Sequence, residues 1–226
     1  MLTDGDATRK QITKSRSFLE RATVDDQVMI FFSGHGALIG YDYYFLPHDF
    51  DPDDPTATGV PYAGIEGLFD GIAARKRLVL LDTCHAGEAD LVVPAGSGPT
   101  NTPASGFKSY RHFGRPQQSA RQPAAGVTNR MLAELFADLR RGAGAYVIGA
   151  AGADEYAIER EKLANGVFTY CILQGLKDSA ADRNSDGILR VSELQRYVSS
   201  RVVELTGGRQ QPISRRENLR NDFAVI

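Results

Sequence analysis

The chain has 226 residues, 42% of them hydrophobic and 24% charged, and a formal net charge of -2. That balance fits one globular domain, or one domain with a long loop, and gives no reason to expect nucleic acid or an acidic membrane surface as partner. No apolar run approaches the roughly 20 residues that span a bilayer, and the polar stretch Met1 to Lys10 carries no signal-peptide core. Two cysteines, Cys84 and Cys171, cannot make a disulfide framework, so a reducing cytoplasm is the expected compartment.

Taken in chain order, Thr13 to Ala22 reads as a helix with Phe18 and Leu19 in its apolar stripe. Val28 to Phe32 is a continuous apolar run suited to a strand buried on both faces, stopped by Ser33-Gly34. Tyr43 to Leu46 is a shorter strand, and the acidic, proline-bearing stretch Asp49 to Thr58 a loop. Ile65 to Ala74 is expected to be helical. Arg77 to Leu81 and Ala145 to Ala150 are the next two buried strands. Between them, residues 94–128 are dense in Gly, Pro, Ser, Ala and Gln, a length of loop that in a compact domain is functional or disordered. Met131 to Arg141, Val167 to Lys177 and Val191 to Leu205 have helical periodicity, and Phe223 to Ile226 is expected to form a closing strand. Strands alternating with helices predict an α/β fold with a largely parallel sheet.

Each of the first two buried strands runs into a reactive residue: the first into Ser33-Gly34-His35-Gly36, the second into Asp82-Thr83-Cys84-His85-Ala86-Gly87. The carboxyl ends of parallel strands lie on one edge of a sheet, where ligands bind. A thiol of ordinary pKa is a poor nucleophile near neutral pH and needs an imidazole beside it, which His35 can supply to Cys84 before protonating the leaving amine. Gly34 and Gly36 leave room for a substrate backbone. The plainer alternative makes Cys84 a buried strand-end residue, His35 a turn residue and Asp82 a strand-end cap. Two Gly-flanked motifs at matching strand ends favour the catalytic reading. His85 is expected to be structural, and Cys171, in a helical apolar pattern, to belong to the core.

Ser33-Gly34-His35-Gly36 followed by Asp82 to Gly87 resembles the paired signature of caspase-like cysteine peptidases (peptidase family C14), specifically the prokaryotic metacaspase or orthocaspase type. The His-to-Cys spacing of about 50 residues agrees with the known caspase pattern. Leu2 to Thr8, Ala151 to Glu155, Gly166 to Thr169 and Gln211-Pro212 also resemble family segments, so the likeness covers nearly the whole chain. It implies a three-layer α/β/α sandwich of the caspase–haemoglobinase type, with a mostly parallel central sheet. Residues 1–93 would form the large-subunit-like part, 94–128 a flexible linker, and 129–226 the small-subunit-like part.

The resemblance further implies a Cys84–His35 dyad, an acyl-enzyme, and an oxyanion held by the amides of Gly36 and Cys84. It puts Asp82 in the S1 pocket, with Ser33 assisting. A carboxylate there favours Arg or Lys at P1 of a protein or peptide substrate. Lys108, Arg111, Arg115, Arg121 and Arg130 would then be self-cleavage sites, and a plain flexible insertion is the alternative. Family members carry a first core strand ahead of the Leu2–Thr8 segment. Without it, unpaired backbone and exposed apolar surface are expected.

Separately, Asp182, Asn184, Asp186, Ile188 and Glu193 fit the EF-hand spacing D-x-N-x-D-G-x5-E, which marks calcium as a regulatory ligand. The alternative is an Asp-Gly turn between two helices, the second capped by Ser192 or Glu193. The loop bearing Asp42, Asp49, Asp51, Asp53 and Asp54 is a weaker calcium candidate. The chemistry itself needs no cofactor. A non-catalytic caspase-like scaffold and a calcium-responsive regulatory module are the competing functions, and the oligomeric state stays open.

Overall fold

The computed structural model describes residues 1–39, 42–83, 145–151, 157–160, 163, 165–177, 180–216 and 222–225. Cys84, residues 94–128 with their basic residues, Arg130, and the expected helix Met131 to Arg141 lie outside the described residues.

Among the described residues the central sheet has six strands: β1 (Gln27–Ile39), β2 (Asp42–Leu46), β3 (Val60–Pro61), β4 (Lys76–Thr83), β5 (Tyr146–Gly149) and, further along the chain, β8 (Ile213–Arg216). Their spatial order is β3-β2-β1-β4-β5-β8. The centre is parallel, with β1 beside β4 and β4 beside β5, and antiparallel strands flank it on both sides. The short β6 (Glu159–Arg160) and β7 (Asn165–Gly166) pair separately. Two long helices follow, α5 (Val167–Lys177) and α6 (Val191–Thr206). The earlier helices are short: α1 (Arg9–Lys14), α2 (Arg16–Leu19), α3 (Pro55–Thr58) and α4 (Tyr62–Glu66).

Alternation along the strands sends successive side chains to opposite faces and builds two cores. On one face Leu78, Leu80, Tyr146 and Ile148 pack with Phe168, Cys171 and Ile172 of α5 and with Leu194, Val198 and Val202 of α6. On the other, Val28, Phe32, Val79, Leu81 and Val147 pack with Ile12 of α1, Ile65 of α4, and Leu68 and Phe69 just beyond it. The result is the expected three-layer α/β/α sandwich.

Five local expectations are corrected. The helix expected over Thr13 to Ala22 is instead α1 and α2. The Ser15 hydroxyl bonds back to the Ile12 carbonyl at 2.6 Å, and α1 ends there. The strand expected to stop at Ser33-Gly34 runs on through His35 and Gly36 to Ile39, because β2 pairs with it from His35↔Leu46 to Ile39↔Asp42. The Asp49–Thr58 stretch contains α3, started by the Asp54 side chain accepting from Ala57 N. Helix over Ile65 to Ala74 is confined to its first residues, since α4 tightens into a 3-10 turn at Gly67–Phe69. The closing strand is Ile213–Arg216. The tail docks on α6 instead: Phe223 O accepts from Val191 N, and Ala224 makes one isolated bridge with Arg190.

Residues 27–34 of β1 pair with β4 on one edge, and among the described residues no strand pairs with their other edge. On the same stretch Met29 and Phe31 are 41% and 45% exposed, whereas Val28 and Phe32, on the opposite face, are buried.

Candidate functional site

The site is built where β1 and β4 end side by side. Their ladder runs Phe31↔Leu80, Phe32↔Leu81, Ser33↔Asp82 and Gly34↔Thr83. The residues that follow this last pair in sequence are His35 and Cys84, of which His35 is described. Alternation puts Ser33, His35 and Asp82 on the sheet face that carries α5 and α6, and Gly34, Gly36 and Thr83 on the other. Ser33 is exposed, His35 partly buried and Gly36 buried. Three sequence-expected site residues thus share one sheet edge and one face, with Gly36 next in line on β1.

The carboxylate of Asp82 is 1% exposed. Polar oxygens so far from water need hydrogen-bond partners. One is the hydroxyl of Thr169 in the first turn of α5, which donates to Asp82 Oδ2. Gly166, just before that helix, completes the seat: a Cβ there would lie 2.8 Å from the same oxygen, closer than any side chain tolerates. Gly166-Val167-Phe168-Thr169 already stood out as a family-like segment, yet spacing alone gave no sign that it meets Asp82.

Behind the sheet, Tyr43 of β2 reaches across β1 to Thr83, hydroxyl to hydroxyl at 2.7 Å, with both side chains buried. Phe45, two residues on, lies over Gly34, where a Cβ would sit 3.3 Å from the ring, and meets Phe32 edge-on at 5.1 Å. A side chain at Gly34 would press on that ring. Gln210 is another residue without a sequence signal. Fully buried, it accepts from Ile158 N at 2.9 Å and donates to Ala150 O at 2.8 Å, tying the chain after β5 to the segment before β8.

Cys171 lies in the core, as expected, and burial pushes its thiol up to about 11. It is no candidate nucleophile.

The EF-hand-like loop is ordered by its own side chains. Asp182 Oδ2 accepts from Gly187 N, Asn184 Oδ1 from Asp186 N, and Asp186 Oδ1 from Ile188 N. Ser185 and Gly187 have φ of 57° and 77°. The amide of Ile188 foremost, with help from Arg190 and Asn184, holds the exposed Asp186 carboxyl below its usual range. Glu193 Oε2 accepts from Arg190 N and caps α6, and Arg190 pairs with Asp186 at 2.9 Å. Asp182 Oδ1 is buried and has no hydrogen-bond partner among the described residues. Among the described residues, no three acidic, His or Cys side chains are gathered closely enough to hold a metal. No helix among them is long and apolar enough to cross a membrane.

Comparison with known proteins agrees with this architecture. The crystal structure of protein GSU0716 from Geobacter sulfurreducens superposes with a TM-score of 0.54 at 15% identity, over 95% of this chain and 75% of that one, a likeness of fold alone. No curated protein matches the chain. The family model described as the caspase domain, peptidase C14, matches residues 2–224. The chain belongs to the caspase-domain family of cysteine peptidase-like proteins.

Proposed function

We propose that the protein is a metacaspase-like cysteine endopeptidase that cleaves after Arg or Lys, with Cys84 as nucleophile and His35 as its acid–base partner. The observation that carries this reading is the ladder Ser33↔Asp82, Gly34↔Thr83, after which His35 and Cys84 come next in sequence. His35 takes the thiol proton, and the thiolate attacks the scissile carbonyl carbon to form a C–S bond. The amides of Gly36 and Cys84 receive the resulting oxyanion. Collapse breaks the C–N bond, and the amine leaves with the proton from His35. Water, deprotonated by the same imidazole, then hydrolyses the thioester and frees the thiol. Asp82 on the same face, with Ser33 beside its strand, supplies the charge that selects a basic P1 side chain.

Calcium is proposed as a regulatory ligand of Asp182, Asn184, Asp186, Ile188 and Glu193. The buried Oδ1 of Asp182, unpartnered among the described residues, supports it, as does the left-handed backbone at Ser185 and Gly187. Binding requires Arg190 to release Asp186 and Glu193 to turn from its cap. Calcium would brace the loop between α5 and α6 and would take no part in the chemistry.

The test is hydrolysis of fluorogenic peptides carrying Arg, Lys or Asp at P1, by the protein and by Cys84→Ala and His35→Ala. Cleavage after Arg and Lys that is lost in both variants is expected. Cleavage that persists in Cys84→Ala refutes the dyad, and no cleavage with or without calcium favours the scaffold function.

A further inference from the structure

We propose that Thr169, seated by Gly166, is a positioning residue that fixes the plane of the Asp82 carboxylate and thereby makes the site prefer Arg over Lys at P1. The inference rests on the reading of Asp82 as the P1-selecting carboxylate and goes one residue further. Asp82 belongs to β4, whereas Gly166 ends β7 just before α5 and Thr169 lies in its first turn, 84 and 87 positions further along the chain. The hydroxyl donates to Oδ2, and the missing side chain at Gly166 lets that same oxygen approach the backbone. Two independent features therefore converge on one oxygen of a side chain that is 1% exposed.

The consequence follows from the geometry of the two basic side chains. A guanidinium is a planar fork that pairs bidentately with a carboxylate, so it gains when the carboxylate plane is already fixed. An ammonium is a compact point charge and is nearly indifferent to that plane. A carboxylate oxygen has two lone pairs, so the bond from Thr169 does not prevent a second donor from reaching Oδ2. Thr169 thus acts through Asp82, and loss of its hydroxyl should weaken recognition of Arg far more than of Lys.

The experiment measures kcat and KM for matched peptides with Arg or Lys at P1, using the protein, Thr169→Val, Thr169→Ser, Gly166→Ala and Asp82→Asn. Thr169→Val removes the donor at nearly constant volume. It is expected to raise KM for the Arg peptide roughly tenfold, the factor set by about one hydrogen bond to a charged group, and to change kcat less than about twofold. The Lys peptide should be little affected, so the Arg/Lys ratio collapses, and Thr169→Ser should restore it. Gly166→Ala moves the carboxylate by a different route and should lower the same ratio, which keeps the test alive if Thr169→Val does not fold. A merely structural role would scale both substrates together.

If Asp82→Asn abolishes basic-P1 cleavage while Thr169→Val leaves the Arg/Lys ratio unchanged, the inference is overturned and the pocket reading stands. If Asp82→Asn leaves cleavage after Arg and Lys intact, the pocket reading fails and the inference falls with it.

Discussion

The bond between Tyr43 and Thr83 offers a quantitative check on how the site edge is held. It spans three strands, from β2 across β1 to the last described residue of β4, at 2.7 Å between side chains that are 1% and 0% exposed. Removing one hydroxyl leaves the other buried without this partner. Tyr43→Phe and Thr83→Val should therefore each destabilise the fold by about 1–3 kcal/mol, the cost of breaking a buried hydrogen bond. Either change alone already breaks the pair, so the double variant should cost little more than the worse single one, a coupling of about 1–2 kcal/mol. At about 2–4 °C per kcal/mol for a protein of this size, each single variant lowers Tm by about 2–12 °C. Urea unfolding of the protein and the three variants measures the cycle. Costs that add to within about 0.3 kcal/mol would mean the two hydroxyls do not support one another, and the bond would lose its place in the account.

Two further outcomes follow from the groups around the site. At pH 8, iodoacetamide should modify Cys84 and spare Cys171, whose thiol is buried and pushed up to about 11. Mass mapping of the native protein checks this, and carbamidomethylated Cys171 would contradict its burial. The sign carries over to stability: a folded-state thiol raised above its ordinary 9.0 holds its proton longer than the unfolded chain does, so its contribution is intact below pH 9 and is lost as pH rises toward 11. Calcium at about 100 times its Kd should stabilise the protein by about 2.7 kcal/mol, or about 5–10 °C in Tm relative to EGTA, and Asp182→Asn should remove that gain. An identical Tm in calcium and EGTA rejects the loop as a calcium site.

The parts of the fold that burial alone dictates were legible. Arg77 to Leu81 and Ala145 to Ala150 are apolar runs because the central strands are covered on both faces, and β4 and β5 lie where those runs are. Val167 to Lys177 is a helix over that same range, since its period of 3.6 puts Phe168, Cys171 and Ile172 on one buried stripe. What could not be read depends on a partner far along the chain. Ser33-Gly34 reads as a stop by local chemistry, yet β2 supplies a backbone ladder that keeps the strand extended through His35. Ile213–Arg216 is too polar to announce a strand and owes its conformation to backbone pairing with β5. Phe223, apolar enough to suggest the closing strand, buries itself beside α6 instead. The motifs marked His35, Asp82 and Ser33, because glycine and reactive residues cluster at strand ends. Thr169 stood only inside the family-like segment Gly166 to Thr169, with no sign of its partner, and Tyr43 had no mark. A lone hydroxyl gains meaning only from the group it meets, 87 positions away for Thr169 and 40 for Tyr43.

Those long-range contacts also divide the labour between the two parts of the chain. His35, Asp82 and the glycines come from β1 and β4, whose mutual register is set by a continuous parallel ladder. The orientation of the Asp82 carboxylate depends on Gly166 and Thr169, and α5 is itself held by α6 through Phe168, Cys171, Leu194 and Val198. Packing at Gly175 shows how little slack that helix pair has: a Cβ there would lie 2.9 Å from Leu194 and 3.0 Å from Tyr197. A tightly packed interior transmits displacement and does not absorb it. Thr169 gives α5 a direct contact with the Asp82 carboxylate, whereas His35 is placed by the pairing of β1 with β2, so a shift of α5 along α6 reaches Asp82 most directly. On the proposed roles, the substrate-selecting and reacting groups are held by different contacts, and perturbations of the later helices should appear first in KM and in the Arg/Lys ratio, before they appear in kcat.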